Sequence, residues 1–128
     1  MFLYFLFAYN ESVNANTKKV LSVSELNRLV RNVIETNFPS VWIEGEISNF
    51  SCPSSGHWYL TLKDERSQIR CAMFKNANYK TNFQPKDGQL VLINCNPGIY
   101  EARGEFQLVI NTMAVSYTHL RAHETLHY

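Results

Sequence analysis

The sequence predicts an all-β domain of five antiparallel strands preceded by one helix, and three observations predict it. Segments of strand length between residues 41 and 112 alternate apolar and polar side chains, as half-buried strands do. Glycine, proline and asparagine separate these segments at the positions where tight turns need them. A segment with helical periodicity precedes the first strand, at residues 23–34.

The composition is that of one ordinary domain. Of the 128 residues, 45% are hydrophobic and 13% aromatic, which is enough for a core and excludes disorder of the whole chain. The formal net charge is only +1, so a nucleic-acid site would have to be a local patch. Between Lys63 and Lys86, six basic residues stand against two acidic ones, a local net charge of +4.

Cysteine usage and the N-terminal segment bear on the cellular compartment. Cys52, Cys71 and Cys95 are odd in number and lack C-x-x-C spacing, which favours free thiols in a reducing, cytoplasmic setting. The stretch MFLYFLFAY is apolar but short and has no cationic start, so we predict neither a signal peptide nor a membrane span. Residues 1–19 are expected to form a tail or linker.

The predicted helix begins with a capping box. Ser22 is expected at the N-cap and Glu25 at the third helical position, with Leu21 and Leu26 as a hydrophobic staple. Phe38-Pro39 is expected to end the helix, because the residue before proline is disfavoured in helical conformation. Six apolar residues repeat with a 3.6-residue period, which predicts a helix docked on the domain: Val23, Leu26, Leu29, Val30, Val33 and Ile34.

Five strands are predicted after the helix. Gly45, inside the first strand, suggests a bulge or a sharp bend. A short helix or loop is expected after the third strand, and Asn96-Pro97-Gly98 is expected to break the fourth. Phe106, Leu108 and Ile110 are expected to point inward from the last strand. The strands are predicted at residues 41–50, 57–63, 68–74, 89–94 and 105–112. This outline fits an oligonucleotide-binding (OB) barrel, and a five-stranded SH3-like barrel would give a similar pattern.

Aromatic and basic side chains alternate with the core positions of the second and third strands. They are expected to share the outer surface of these strands with the hairpin that follows the fourth strand. Aromatic rings stack on unpaired bases and cations attract phosphates, so this pattern predicts single-stranded nucleic-acid binding. Alternatively, Tyr59 and Phe74 pack under the preceding helix. The candidate binding residues are His57, Tyr59, Arg70, Phe74, Lys75 and Arg103.

No catalytic motif is present in the sequence. It contains no phosphate-binding P-loop, no nucleophile-elbow motif and no paired-cysteine zinc spacing, so no enzymatic activity and no cofactor are predicted for this chain alone. His119, His123 and His127 are spaced by four residues, as in some metal sites. They lie in SYTHLRAHET, which resembles translated sequencing-adaptor read-through, so no metal site is predicted. Residues 115–128 are expected to be a tail outside the domain.

Five motifs together resemble one family. LSVSELNRLVRNVIE, VWIEGEISNF, SGHWYLTLKD, IRCAMF and GIYEARGEFQLVI resemble the N-terminal domain of the large subunit of bacterial exodeoxyribonuclease VII. The resemblance covers roughly Val20 to Met113, within an expected domain at residues 20–114. The chain departs from the family pattern after Ala114, where a link toward a catalytic domain is expected.

The resemblance implies a function for the domain. It implies an OB-fold that grips single-stranded DNA for a nuclease that degrades this DNA from both ends to oligonucleotides. A small helical subunit is the implied partner, bound through parts of the large subunit that are absent here. The residues implied to contact DNA are Phe74 and Lys75, with Arg70 and His57. The alternative is an interaction scaffold that uses the same barrel face to bind a protein.

Overall fold

A computed structural model of the chain describes residues 19–117. It contains a 15-residue helix, a one-turn helix and five strands. Their bounds are α1 Val23–Asn37, β1 Val41–Ser51, β2 Trp58–Lys63, β3 Gln68–Met73, α2 Lys75–Asn78, β4 Leu90–Tyr100 and β5 Glu105–Val115. The five predicted strands and the preceding helix are confirmed.

The strands form a closed barrel in the order β1-β2-β3-β5-β4. Four neighbouring pairs are antiparallel, but β3 and β5 are parallel, with Arg70 opposite Gln107. The expectation of antiparallel strands throughout was therefore wrong for one pair. The reason is geometric, because strand direction cannot alternate around a closed ring with an odd number of members.

The long strand β1 belongs to both halves of the barrel. Its first part pairs with β4 as far as Glu46, and the part from Glu46 onward pairs with β2. Gly45 lies next to this change of partner and keeps a regular register with Val91. The irregularity lies later, between Ser48 and Ser51, where Asn49 has a positive φ of 54°. The bulge is therefore not at Gly45 itself.

The core fills the inside of the barrel. Paired residues such as Leu60 and Cys71, or Cys95 and Ile110, point inward from neighbouring strands. Phe50 packs edge-on against Trp58, with 5.5 Å between the ring centroids. The core residues are Ile47, Trp58, Leu60, Leu62, Cys71, Met73, Val91, Ile93, Cys95, Leu108, Ile110 and Met113.

Two details of the β4–β5 hairpin differ from the sequence prediction. Strand β4 continues through Pro97, which is buried opposite Leu108. A proline is tolerated there because β1 pairs with β4 only as far as Cys95, so the following part of β4 has a single strand partner. Phe106 was expected in the core but is exposed, because it lies at one end of the barrel, just before the part of β5 that pairs with β3.

Helix α1 begins as predicted. The Ser22 hydroxyl accepts a hydrogen bond from the Glu25 backbone N–H, and the Glu25 carboxylate accepts one from the Ser22 N–H. These backbone and side-chain bonds lower the pKa of Glu25. The helix packs mainly on β4, and Asn27 donates a hydrogen bond to the Glu101 carbonyl on the β4–β5 turn.

The apolar face of α1 is only partly covered. Val33 is buried, whereas Val23, Leu26 and Val30 are exposed. The helix is therefore docked as predicted, but its N-terminal half is attached by the Asn27–Glu101 hydrogen bond and leaves its apolar side chains exposed.

The described region has no helix that is both long and apolar enough to cross a membrane. Within residues 19–117, no group of three histidine, cysteine or acidic side chains could hold a metal ion. His119, His123 and His127, like residues 1–18, lie outside the described residues.

The thiols differ sharply in accessibility, which leads to a testable prediction. Cys52 is exposed, whereas Cys71 and Cys95 are buried and free. Burial raises the pKa of the Cys71 thiol to about 12, with a further contribution from Cys95, and raises that of Cys95 to about 11. At pH 8 we expect one thiol to react quickly with a disulfide reagent and all three to react after denaturation.

The same pKa shifts predict a pH dependence of stability. An unfolded thiol ionises near its ordinary pKa of 9.0, so the folded state loses stability as the pH rises from 9 toward 11. Denaturant titrations at pH 8 and pH 10 would measure this loss. Cys52→Ser is the control, because it should remove the fast-reacting thiol without changing the pH dependence. If all three thiols of the native wild type reacted quickly, the burial of Cys71 and Cys95 would be contradicted.

Candidate nucleic-acid interface

The outer face of β2 and β3 carries two of the predicted binding residues. Residues directly opposite each other in an antiparallel pair point to the same side of a sheet. Tyr59 lies opposite Ala72 and Thr61 lies opposite Arg70, so these four side chains share the face away from the core. Arg70 is exposed and Tyr59 is half-buried.

Three aromatic rings form a cluster at one end of this face. His57 lies at the entry to β2 and Phe74 follows the end of β3, and their ring centroids are 5.3 Å apart at an interplanar angle of 84°. Tyr59 continues the cluster, with its centroid 6.5 Å from that of His57. Edge-to-face contacts of this kind hold rings in fixed orientations. Phe74 remains 38% exposed, so part of its ring is open to solvent.

The backbone of Lys75, the residue after Phe74, orients His57. The Lys75 N–H donates a hydrogen bond of 3.0 Å to His57 Nδ1. In a neutral imidazole the hydrogen is then on Nε2, which leaves that nitrogen as a donor. The bond also ties the start of α2 to the loop before β2, so His57, Phe74 and Lys75 form one unit.

The Asn78 side chain stabilises this unit by bonding to the loop before β2 and to the end of β3. This side chain is only 7% exposed and donates hydrogen bonds to the carbonyls of Gly56, at 2.8 Å, and Met73, at 3.2 Å. Gly56 has a φ of +87°, and a Cβ added there would lie 3.2 Å from Lys75 Cδ. The close approach of loop and helix therefore depends on a glycine in a left-handed conformation.

The charges on this face are uneven. Within the described residues, Lys63 forms an ion pair with Glu46 at 4.0 Å, whereas Arg70 and Lys75 have no acidic partner within ion-pair distance. Asp64 lies in the β2–β3 turn, at the end of the strands away from the aromatic cluster. Its carboxylate accepts backbone hydrogen bonds from Arg66 and Ser67, which lower its pKa. Lys75 is the basic residue at the cluster end, while the Asp87 carboxylate accepts a hydrogen bond from the Phe50 N–H on the neighbouring strand β1.

Arg103 lies apart from the other predicted residues. It occupies the turn between β4 and β5, which is attached to α1 through Asn27. Arg70 lies opposite Gln107 in the parallel β3–β5 pair. Phe74 follows Arg70 along the chain, whereas Arg103 precedes Gln107, so Phe74 and Arg103 lie toward opposite ends of this pair. At about 3.3 Å per residue, the two ends are on the order of 20 Å apart. Arg103 therefore flanks the far end of the face.

The structure argues against the interpretation in which the preceding helix covers the aromatic residues, although Thr61 and Ala72 at the centre of this face are buried. Helix α1 packs on β4, so it does not cover Tyr59 or Phe74. Asn78 and Tyr79 were not among the predicted site residues. Tyr79 and Phe83 have similar sequence surroundings, but Phe83 packs against the core whereas Tyr79 is exposed.

Comparison with known proteins gives consistent results. The family model described as "OB-fold nucleic acid binding domain" matches residues 21–114. The exodeoxyribonuclease 7 large subunit of Hahella chejuensis is 54% identical over 95 residues, which are 74% of this chain and 21% of that protein. The corresponding subunit of Haemophilus influenzae is 52% identical over 94 residues, which are 73% of this chain and 21% of that protein.

One solved structure shares the fold at low sequence identity. A chain from a replication protein A heterotrimer bound to ssDNA aligns with a TM-score of 0.51 and 11% identity, covering 67% of this chain and 66% of that one. The family-model match over residues 21–114 favours the OB barrel over the SH3-like alternative. The chain spans about a fifth of the length of the curated relatives it matches. It is homologous to exodeoxyribonuclease 7 large subunits over this region and belongs to the family of OB-fold nucleic acid binding domains.

Proposed function

We propose that this domain binds single-stranded DNA across the outer face of β2 and β3. The observation that carries the proposal is the fixed cluster of His57, Tyr59 and Phe74 beside the unpaired cations of Arg70 and Lys75. Unpaired bases stack on exposed rings, and the adjacent cations attract the phosphates between them. Arg103 would contact the DNA at the end of the face opposite the aromatic cluster.

The proposal extends to the protein of which this domain is a part. The relatives are named as exodeoxyribonuclease 7 large subunits. We infer that the domain holds single-stranded DNA for a nuclease that, with its small subunit, degrades this DNA from both ends to oligonucleotides. Catalysis and the contact with the small subunit would belong to other parts of the large subunit. Free thiols support a reducing, cytoplasmic setting.

A protein-interaction scaffold on the same barrel face is the competing function. Such a surface is expected to be apolar and uninterrupted by charge at its centre. Arg70 and Lys75 interrupt this face, which favours nucleic acid. A dimer in size-exclusion chromatography without any affinity for oligonucleotides would favour the scaffold instead.

Fluorescence anisotropy with a labelled dT oligomer tests the proposal. We expect a dissociation constant in the micromolar range, which weakens as salt is added. Each neutralised phosphate contributes roughly −0.7 to the slope of log K against log salt for single strands, so Arg70, Lys75 and Arg103 predict a slope of about −2. A duplex of equal length should bind more weakly. Affinity that is independent of salt, or absent at millimolar oligomer, would refute the proposal.

A further inference from the structure

A groove at the edge of the proposed binding face is formed partly by residues that the proposed function does not yet use, Asn76 and Tyr79. It is open to solvent, with a volume of ≈ 560 Å³, and is lined by His57, Phe74, Lys75, Asn76 and Tyr79. Two of the lining residues, Phe74 and Tyr79, carry aromatic rings. These side chains come from the residue before α2 and the residue after it, so the one-turn helix sets their separation.

Tyr79 is placed as a surface residue. It is 72% exposed, so it adds little to the core. The Lys80 Nζ lies 5.8 Å from its ring centroid, which is within cation–π range. A cation thus lies near one face of the Tyr79 ring, which adds positive charge beside the groove.

We propose that the groove between Phe74 and Tyr79 is a slot for one unpaired nucleobase of single-stranded DNA. The base would lie against the two rings, with its flanking phosphate outside the groove and within reach of the Lys75 ammonium. This inference rests on the proposed function and adds to it a specific nucleotide position. It also adds Tyr79 to the binding residues.

Charge favours a nucleotide over an apolar protein side chain as the occupant. No acidic residue lines the groove, and Lys75 contributes to its wall while Lys80 flanks Tyr79. A nucleotide supplies both a flat ring for the aromatic walls and a negative phosphate for the lysines. An inserted leucine or phenylalanine from a protein would make no use of the positive charge of either lysine.

A double-mutant cycle between protein and DNA tests the slot. The protein variants are Tyr79→Ala and, as the matched control that keeps the ring, Tyr79→Phe. The DNA is the shortest dT oligomer that binds at full affinity, with a single abasic nucleotide moved along it. Because Tyr79 is exposed, both variants should keep the wild-type melting temperature.

We expect Tyr79→Ala to weaken binding roughly 5- to 150-fold, the equivalent of one stacked base, and Tyr79→Phe to bind as wild type. One abasic position should weaken wild-type binding by a similar factor yet leave Tyr79→Ala unaffected. If Phe74→Ala weakens binding while Tyr79→Ala matches wild type at every abasic position, the slot is refuted and the proposed function stands. If the wild type binds no oligomer, both are refuted.

Discussion

Replacing Gly45 by alanine should lower the free energy of unfolding by about 3 kcal/mol, the upper range for overpacking a well-ordered core. A Cβ at this position would lie 2.6 Å from Leu62 Cγ and 3.1 Å from each Leu62 methyl carbon. Leu62 is itself buried, so neither β1 nor β2 can move away without disturbing the core. Chemical denaturation followed by circular dichroism would measure the change.

Two further variants separate this clash from the general effect of adding a methyl group to a strand. Gly98→Ala is the matched control, because its Cβ would meet Glu35 Oε2 at 3.5 Å, an ordinary contact distance. It should change stability by less than about 1 kcal/mol. Combining Gly45→Ala with Leu62→Ala should cost less than the sum of the two single changes, because the smaller side chain frees the space. Strict additivity would contradict the proposed clash.

Replacing Phe74 by alanine should weaken single-stranded DNA binding roughly 5- to 150-fold. The estimate is the loss of one base stacked on an aromatic ring, about 1–3 kcal/mol. Phe74 is the most suitable ring for this role because it is partly exposed and is held by its contact with His57. Anisotropy titrations of wild type and variant at one salt concentration would give the ratio directly.

Three controls define what the Phe74 result means. Phe74→Tyr keeps a ring and should retain most of the affinity. Trp42→Ala removes a larger exposed ring from β1, next to Asn94 on the opposite side of the barrel, and should leave binding unchanged. Lys75→Ala should weaken binding of all sequences alike and reduce the salt slope by roughly 0.7. Equal losses from Trp42→Ala and Phe74→Ala would contradict a localised site.

Sequence reasoning succeeded where the signal is local. The Ser22–Glu25 capping box was predicted in full, because its two hydrogen bonds join residues three apart. The inward positions of β2 and β3 followed from alternation along each strand. The same reasoning failed at Pro97 and Phe106, since a strand's tolerance for proline or for exposure depends on which neighbours it has.

In the candidate site, too, some residues could be predicted from the sequence and others depend on the tertiary structure. His57, Tyr59, Arg70 and Phe74 could be assigned to an outer face by counting along strands. Tyr79 could not, because a four-residue helix gives no periodic signal and only the docked position of α2 turns this ring outward while Phe83 packs inward. The separation of Arg103 from the aromatic cluster likewise depends on the register of β5 against β3.

The amino-acid sequence alone therefore determined the number of strands, the start of the helix, the core faces of β2 and β3 and the residue types available for stacking. Those properties depend on neighbours a few positions apart. The tertiary structure decided the parallel β3–β5 pair, the joining of His57 to Lys75 and the support of Gly56 by Asn78. These contacts span 18 residues or more along the chain, and barrel closure brings their partners together.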